Sequence, residues 1–120
     1  MRLSEADCLE RLGRARGGYV ATTARALPVI VPVTLAVEGG ELLIDALLGH
    51  HAELAADAVV ALTVGSLDGA EGEGPWSVLV QGTLRAPRSP VATSSPERTS
   101  WCRAMDIELV TGWCREPGSA

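Results

Sequence analysis

Lysine, phenylalanine and asparagine are missing from this chain of 120 residues, and only two histidines occur. Every side-chain cation that is always charged is therefore an arginine. The three missing residue types use AT-rich codons, which points to a GC-rich bacterial source and warns against reading the lack of lysine as functional. No apolar run approaches the roughly 20 residues a membrane-spanning helix needs. Glu5, Asp7 and Glu10 interrupt the N-terminus, which therefore does not read as a signal peptide. The formal charge of −5 argues against nucleic acid and anionic membrane as partners. Cys8, Cys102 and Cys114 are odd in number and irregularly spaced, with no Cys-x-x-Cys motif, so they read as small buried apolar residues in a reducing cytoplasm. No internal repeat occurs.

What is present is apolar. A content of 47% hydrophobic residues excludes disorder and supports one domain over residues 1–115, followed by a flexible tail at 116–120. A core of this size is marginal alone, so a homodimer is expected. The organising stretch runs from Leu27 to His51. Pro28 to Val37 reads as a strand, Glu38-Gly39-Gly40 as a tight turn, and Glu41 to Leu47 as the returning strand. Two neighbouring glycines permit the positive φ of a hairpin turn.

The remaining elements follow in order. Ser4 caps a first helix, with Asp7 as capping-box partner and Leu3 and Cys8 as hydrophobic staple; Leu9 and Leu12 continue its apolar face. Arg11, Arg14 and Arg16 compensate the helix dipole or form an anion site. Gly17 and Gly18 stop this helix. Strands are expected at Tyr19–Thr23, Val59–Val64, Trp76–Leu84 and Ile107–Cys114, with further helices over His50–Ala58 and from Ser95. Trp101 and Met105 would share a face of the last helix. The acidic loop from Asp68 to Glu73 reads as a solvated connector or a lid. Six strands, mostly consecutive, with two or three peripheral helices predict a mainly β fold, a small antiparallel barrel.

The PVIVPVTLAVEGGELLI hairpin, the Gly49-His50-His51 turn, the Trp76-Ser77-Val78-Leu79-Val80-Gln81-Gly82 strand and the closing Leu109-Val110-Thr111-Gly112 resemble the pyridoxamine 5′-phosphate oxidase-like, flavin-binding split-barrel family. The resemblance covers nearly the whole chain in order. It implies a six-stranded antiparallel split β-barrel and a homodimer with cofactor sites at its interface. It also implies an oxidoreductase acting on a small molecule with FMN, or in some members with deazaflavin F420 or haem.

The sequence departs from that family where the cofactor phosphate is usually held. Typical members end the second hairpin strand in Arg-Thr and continue with Gly-x-Lys; here the matching positions are Asp45, Ala46, Gly49 and His51, with His50 between. A carboxylate about 4 Å from a phosphate charge is repelled by roughly 4 kcal/mol at an effective dielectric near 20, about three decades of affinity. Gln81 stands where the family often has arginine. The helix start at His50 and His51 offers backbone N–H groups to an anion. Each histidine can also be an exposed polar residue, a general acid or base, or an axial haem ligand. Adjacent helical residues point about 100° apart, so both do not bind one metal. Near the cofactor ring the resemblance places Pro32, Thr34, Trp76 and Ser77. Pro32 cannot donate to a ladder and marks an edge, bulge or break. Thr34 is a polar contact or a plain strand threonine. Trp76 is core, interface or stacking partner. Ser77 lacks the His-acid pair a nucleophile needs. No catalytic residue is assigned, and a cofactor-free, small-molecule-binding dimer is the alternative outside redox chemistry.

Overall fold

The computed structural model describes residues 1–47, 53–66, 74–88 and 102–115. Helix α1 spans Glu5–Arg14. Six strands follow: β1 (Gly17–Ala24), β2 (Leu27–Glu38), β3 (Glu41–Ala46), β4 (Val59–Ser66), β5 (Trp76–Arg85) and β6 (Arg103–Cys114). They close into one barrel in the order β1-β2-β3-β6-β5-β4, every neighbouring pair antiparallel. The expected mainly β, six-stranded antiparallel barrel is thus the observed fold.

Alternation builds the barrel. Val31, Val33 and Leu35 of β2 point inward and stand next to Ile44 and Ala46 of β3, with Val20, Leu62, Val78 and Val80 completing the interior. Each such side chain contributes roughly 1.5–3 kcal/mol when fully withdrawn from water. The intervening residues face outward, and many are apolar as well: Tyr19, Ile30, Leu79, Leu109 and Trp113 are all exposed.

Turn chemistry explains the hairpins. Gly39 and Gly40 both have positive φ, 59° and 76°, as the two-residue turn between β2 and β3 requires. The turn between β1 and β2 is equally tight but places Arg25 and Ala26 at φ 54° and 66°, where their Cβ atoms are strained. Pro32 sits where the β2–β3 ladder ends. That ladder begins at Val33↔Ala46, and the Pro32 carbonyl accepts from the Leu47 N–H at 2.9 Å. In a strand the N–H and C=O of one residue point to the same side, so the hydrogen bond that proline cannot make falls beyond the end of β3.

Helix α1 packs against β5 and β6. The Ser4 side chain accepts from the Asp7 N–H at 3.1 Å, and Leu3 and Cys8 are both buried, as cap and staple predict. The apolar face runs through Cys8 and Leu12, whereas Leu9 is 43% exposed. The residues before the helix add to β6: the Leu3 N–H donates to Gly112 at 2.8 Å, and the Cys114 N–H to Met1 at 2.9 Å. A Cβ on Gly112 would come within 2.7 Å of the Cys8 sulfur, so glycine lets the helix lie this close.

Three boundaries differ from expectation. The helix stops at Arg14 with Ala15 as its cap, so Gly17 and Gly18 already belong to β1. Residues 53–58, expected to be helical, form turns, with the Asp57 N–H donating to Leu84 at 2.8 Å and Asp57 at φ 69°. Tertiary bonding to β5 outweighs the helix propensity of an alanine-rich segment. Met105 lies in β6, paired with Leu42 and Leu84, rather than in a helix. Its partners on two sides are strands, and ladder pairing decides the local conformation. The start of that expected helix, Ser95 to Trp101, lies outside the described residues, as do the 116–120 tail and the acidic loop from Asp68 to Glu73.

Candidate functional site

A cleft of about 390 Å³ opens where β1 begins, β4 ends and β5 begins. Gly17, Gly18 and Tyr19 form one wall, Pro32, Val33 and Leu47 another, and Thr63, Val64, Gly65 and Ser77 the third. The lining is mostly apolar, and Tyr19, Thr63 and Ser77 are its hydroxyl-bearing residues. Glycine is dictated here by packing. A Cβ on Gly18 would sit 2.5 Å from the Thr63 carbonyl oxygen, and one on Gly65 would overlap the Trp76 carbonyl. Glycine at these positions lets the neighbouring strands approach, and its backbone forms part of the cleft surface.

Next to this cleft, and sharing Gly17 and Gly65 with it, is a second recess of about 370 Å³ with a different chemistry. Arg11, Arg14, Ala15 and Arg16 line one side and Trp76 the other. The Arg11 guanidinium lies over the Trp76 ring, 4.9 Å from its centroid, a cation–π arrangement that orients the charge. Arg14 pairs with Glu10 one turn earlier at 3.8 Å, and both side chains are more than half exposed. The Arg16 carbonyl accepts from the Leu35 N–H at 2.8 Å, which anchors the backbone beyond the helix end. Trp76 is 8% exposed, and its indole N–H is buried without an acceptor.

The sign of this recess follows from magnitudes. It lies at the C-terminus of α1, whose dipole disfavours an anion by about 0.3–1 kcal/mol. One guanidinium at contact distance favours the same anion by about 4 kcal/mol at an effective dielectric near 20. Three guanidinium-bearing residues converge, so the recess is basic within a chain of net charge −5.

The residues anticipated from the sequence divide among these places. Pro32 and Ser77 line the cleft, and Trp76 lines the basic recess. Thr34 and Asp45 stand opposite each other on the outer face of β2 and β3 and line neither cavity. Asp45 is half-buried and engaged in an interaction of its own. Ala46 is 7% exposed and points into the core. Gly49, His50 and His51 lie outside the described residues. Among the described residues, no group of three or more His, Cys, Asp or Glu is arranged to hold a metal ion. Residue-level reading passed over Gly17, Tyr19, Thr63 and Gly65. Their signal was the Gly-Gly preceding a strand and the glycine near the end of β4, both readable as ordinary breakers.

Burial raises the Cys8 thiol pKa above its ordinary value, Asp7 adds to the rise, and Arg11 and Arg2 oppose it. This thiol is therefore packing rather than chemistry. No helix among the described residues is long and apolar enough to cross a membrane.

The fold recurs in solved bacterial proteins. A FAD binding protein from Mycobacterium smegmatis superposes with a TM-score of 0.71 at 22% identity, over 97% of this chain and 99% of that one. A FAD-binding protein from Mesorhizobium loti gives 0.68 at 21% identity over 93% of each chain. A FAD and heme binding protein from Mycobacterium smegmatis gives 0.68 at 18% identity, over 99% of this chain and 76% of that one. No curated protein sequence matches. The family model for pyridoxamine 5′-phosphate oxidase matches residues 4–101, most of the chain, and with the closed six-stranded barrel around it this protein belongs to the pyridoxamine 5′-phosphate oxidase family.

Proposed function

We propose that this protein binds a flavin-type cofactor in the cleft between β1, β2 and β4 and serves as an oxidoreductase for a small molecule. The observation that carries the reading is the cleft itself, about 390 Å³ in volume, apolar, and walled in part by the glycine backbone of Gly17, Gly18 and Gly65. A flat ring system fits such walls, because it needs apolar faces and close approach to main chain rather than charged side chains. The names of the structural neighbours, FAD-binding proteins of the same fold, support a flavin.

When bound, the ring supplies hydride-transfer chemistry. The chain's own residues bind and orient it. Pro32 and Leu47 present apolar surface, the backbone at Gly17, Gly18 and Gly65 forms part of the wall, and Tyr19, Thr63 and Ser77 carry hydroxyls that can serve the ring's polar edge.

The reading extends to a homodimer. Tyr19, Ile30 and Leu79 are 57%, 68% and 40% exposed on the outer face of the barrel, and with Ala21, Ala61 and Thr63 they line a shallow apolar depression. Tyr19 and Thr63 also belong to the cleft, so a partner covering this patch would complete the cofactor site. Contiguous apolar surface of this kind marks an interface. The reading keeps the reducing cytoplasmic setting expected from three irregularly spaced cysteines.

The test is a visible-absorption titration of the purified protein with FMN, FAD, F420 and haem separately, run beside light scattering. Stoichiometric binding of a flavin or deazaflavin to a species of twice the chain mass is expected. A sharp haem band that His50→Ala or His51→Ala abolishes would instead assign the site to haem. A colourless monomer that takes up none of the four would leave the cofactor-free reading.

A further inference from the structure

The arginine recess carries an inference of its own, resting on the flavin reading above. The positions that the family resemblance matches to the cofactor-phosphate grip are Asp45, Ala46, Gly49 and His51, of which Gly49 and His51 lie outside the described residues. Asp45 lies on the outer face away from both cavities, and Ala46 is turned into the core. Neither can supply a cation. Yet a ligand with an apolar ring and a phosphate tail needs one near the ring's cleft. The recess of Arg11, Arg14 and Arg16 adjoins that cleft through Gly17 and Gly65, so one molecule could span both without crossing a barrier of side chains.

We propose that the recess formed by Arg11, Arg14, Arg16 and Trp76 is a phosphate-binding site, which takes the phosphate or pyrophosphate of the ring-bearing cofactor. Dipole compensation accounts for basic residues in the last turn of α1, but it does not account for Arg16, which lies beyond the helix end and lines the same recess. Nor does it account for the seating of Arg11 over the Trp76 ring, which holds a guanidinium in a fixed orientation at the recess wall. A planar fork held in place loses little freedom on gripping phosphate oxygens in bidentate fashion. Trp76 itself is held at the first position of β5 by pairing with Ser66 and Cys114, so the recess is built on strands and one helix.

The experiment compares riboflavin, FMN and FAD, which share the ring and differ in phosphate, by fluorescence titration of the intact protein and of Arg16→Gln and Arg16→Lys. Wild type should prefer the phosphorylated ligands over riboflavin by about a hundredfold or more. Arg16→Gln should cut that preference about tenfold while leaving riboflavin affinity within about twofold, and Arg16→Lys should restore part of it. Arg16 is exposed, so the variants should keep the wild-type urea midpoint. An unchanged preference in Arg16→Gln and in the Arg11→Gln/Arg16→Gln double variant would overturn the site and leave the flavin reading standing. Calorimetry with inorganic pyrophosphate separates the two ideas: binding that Arg16→Gln weakens about tenfold, in a protein that takes up no flavin, would support the anion site and overturn its flavin occupant.

Discussion

The two ends of β5 carry arginines in opposite arrangements. At its C-terminal end, Arg85 donates from Nε to Asp106 at 2.9 Å and from a terminal nitrogen to Glu41 at 2.8 Å. Both oxygens of Glu41 also accept from the Arg88 N–H, at 2.9 and 3.1 Å, although the residue is only 8% exposed. The hydrogen bonds to Asp106 and then Glu41 raise the Arg85 pKa further above its already high value. Charge here ties β3, β5 and β6 together. At the N-terminal end, roughly 30 Å away along the strand, Arg11, Arg14 and Arg16 line a recess beside Trp76, where the pairing of Arg14 with Glu10 is long and exposed. An exposed pair of that kind contributes about 0–1 kcal/mol. One end ties three strands together through a single guanidinium, and the other gathers three arginines around a recess.

The contrast can be tested by removing each feature. The largest effect is expected at the cohesive end. Glu41→Gln leaves Arg85 with a neutral neighbour and weakens the contacts to Arg88, so the urea midpoint should correspond to a loss of about 2–3 kcal/mol. A variant as stable as wild type would show that the network is only decoration on the ladder.

At the presenting end, Gly65→Ala should cost about 1–3 kcal/mol, because the added methyl meets the Trp76 carbonyl and the paired strands must separate. The same shift changes the wall shared by cleft and recess. Flavin affinity measured at a temperature where the variant is folded should therefore fall along with stability. Stability loss with unchanged affinity would detach the glycine from the site.

The smallest effect concerns pH. Cys8 sits on the buried face of α1, and burial raises its thiol pKa, so the folded state keeps the proton to higher pH than the unfolded chain does. Its contribution is complete below the unfolded value of about 8.5 and is lost as pH rises through the folded one. The urea midpoint should decline above about pH 8.5 and decline less steeply in Cys8→Ala. Equal slopes would show that the thiol is not the group responsible.

Legibility in the sequence followed the range of the forces involved. The β2–β3 hairpin was readable because Gly39-Gly40 and the alternation on either side act over a few residues. The α1 cap was readable for the same reason. Residues 53–58 and Met105 carry local helix propensity, whereas the bonds that fix them, to Leu84 and Leu42, come from distant strands. The site was half legible. Pro32, Trp76 and Ser77 are legible through family resemblance, and the arginines are legible only as an open choice between dipole compensation and an anion site. Gly17, Tyr19, Thr63 and Gly65 were passed over because a cleft wall built from three strands has no signature within any one of them.

The sequence alone determined the mainly β class, the six-strand count, the first cap and the central turn, because periodicity and turn chemistry are properties of short segments. Tertiary structure alone decided that β6 stands between β3 and β5, and that β4 closes the barrel against β1. That closure brings Gly65 of β4 beside Gly17 of β1, and with them the end of α1 beside the apolar cleft. A basic recess next to a ring-sized pocket is a relation between residues some fifty positions apart in the chain, and only closure of the sheet could create it.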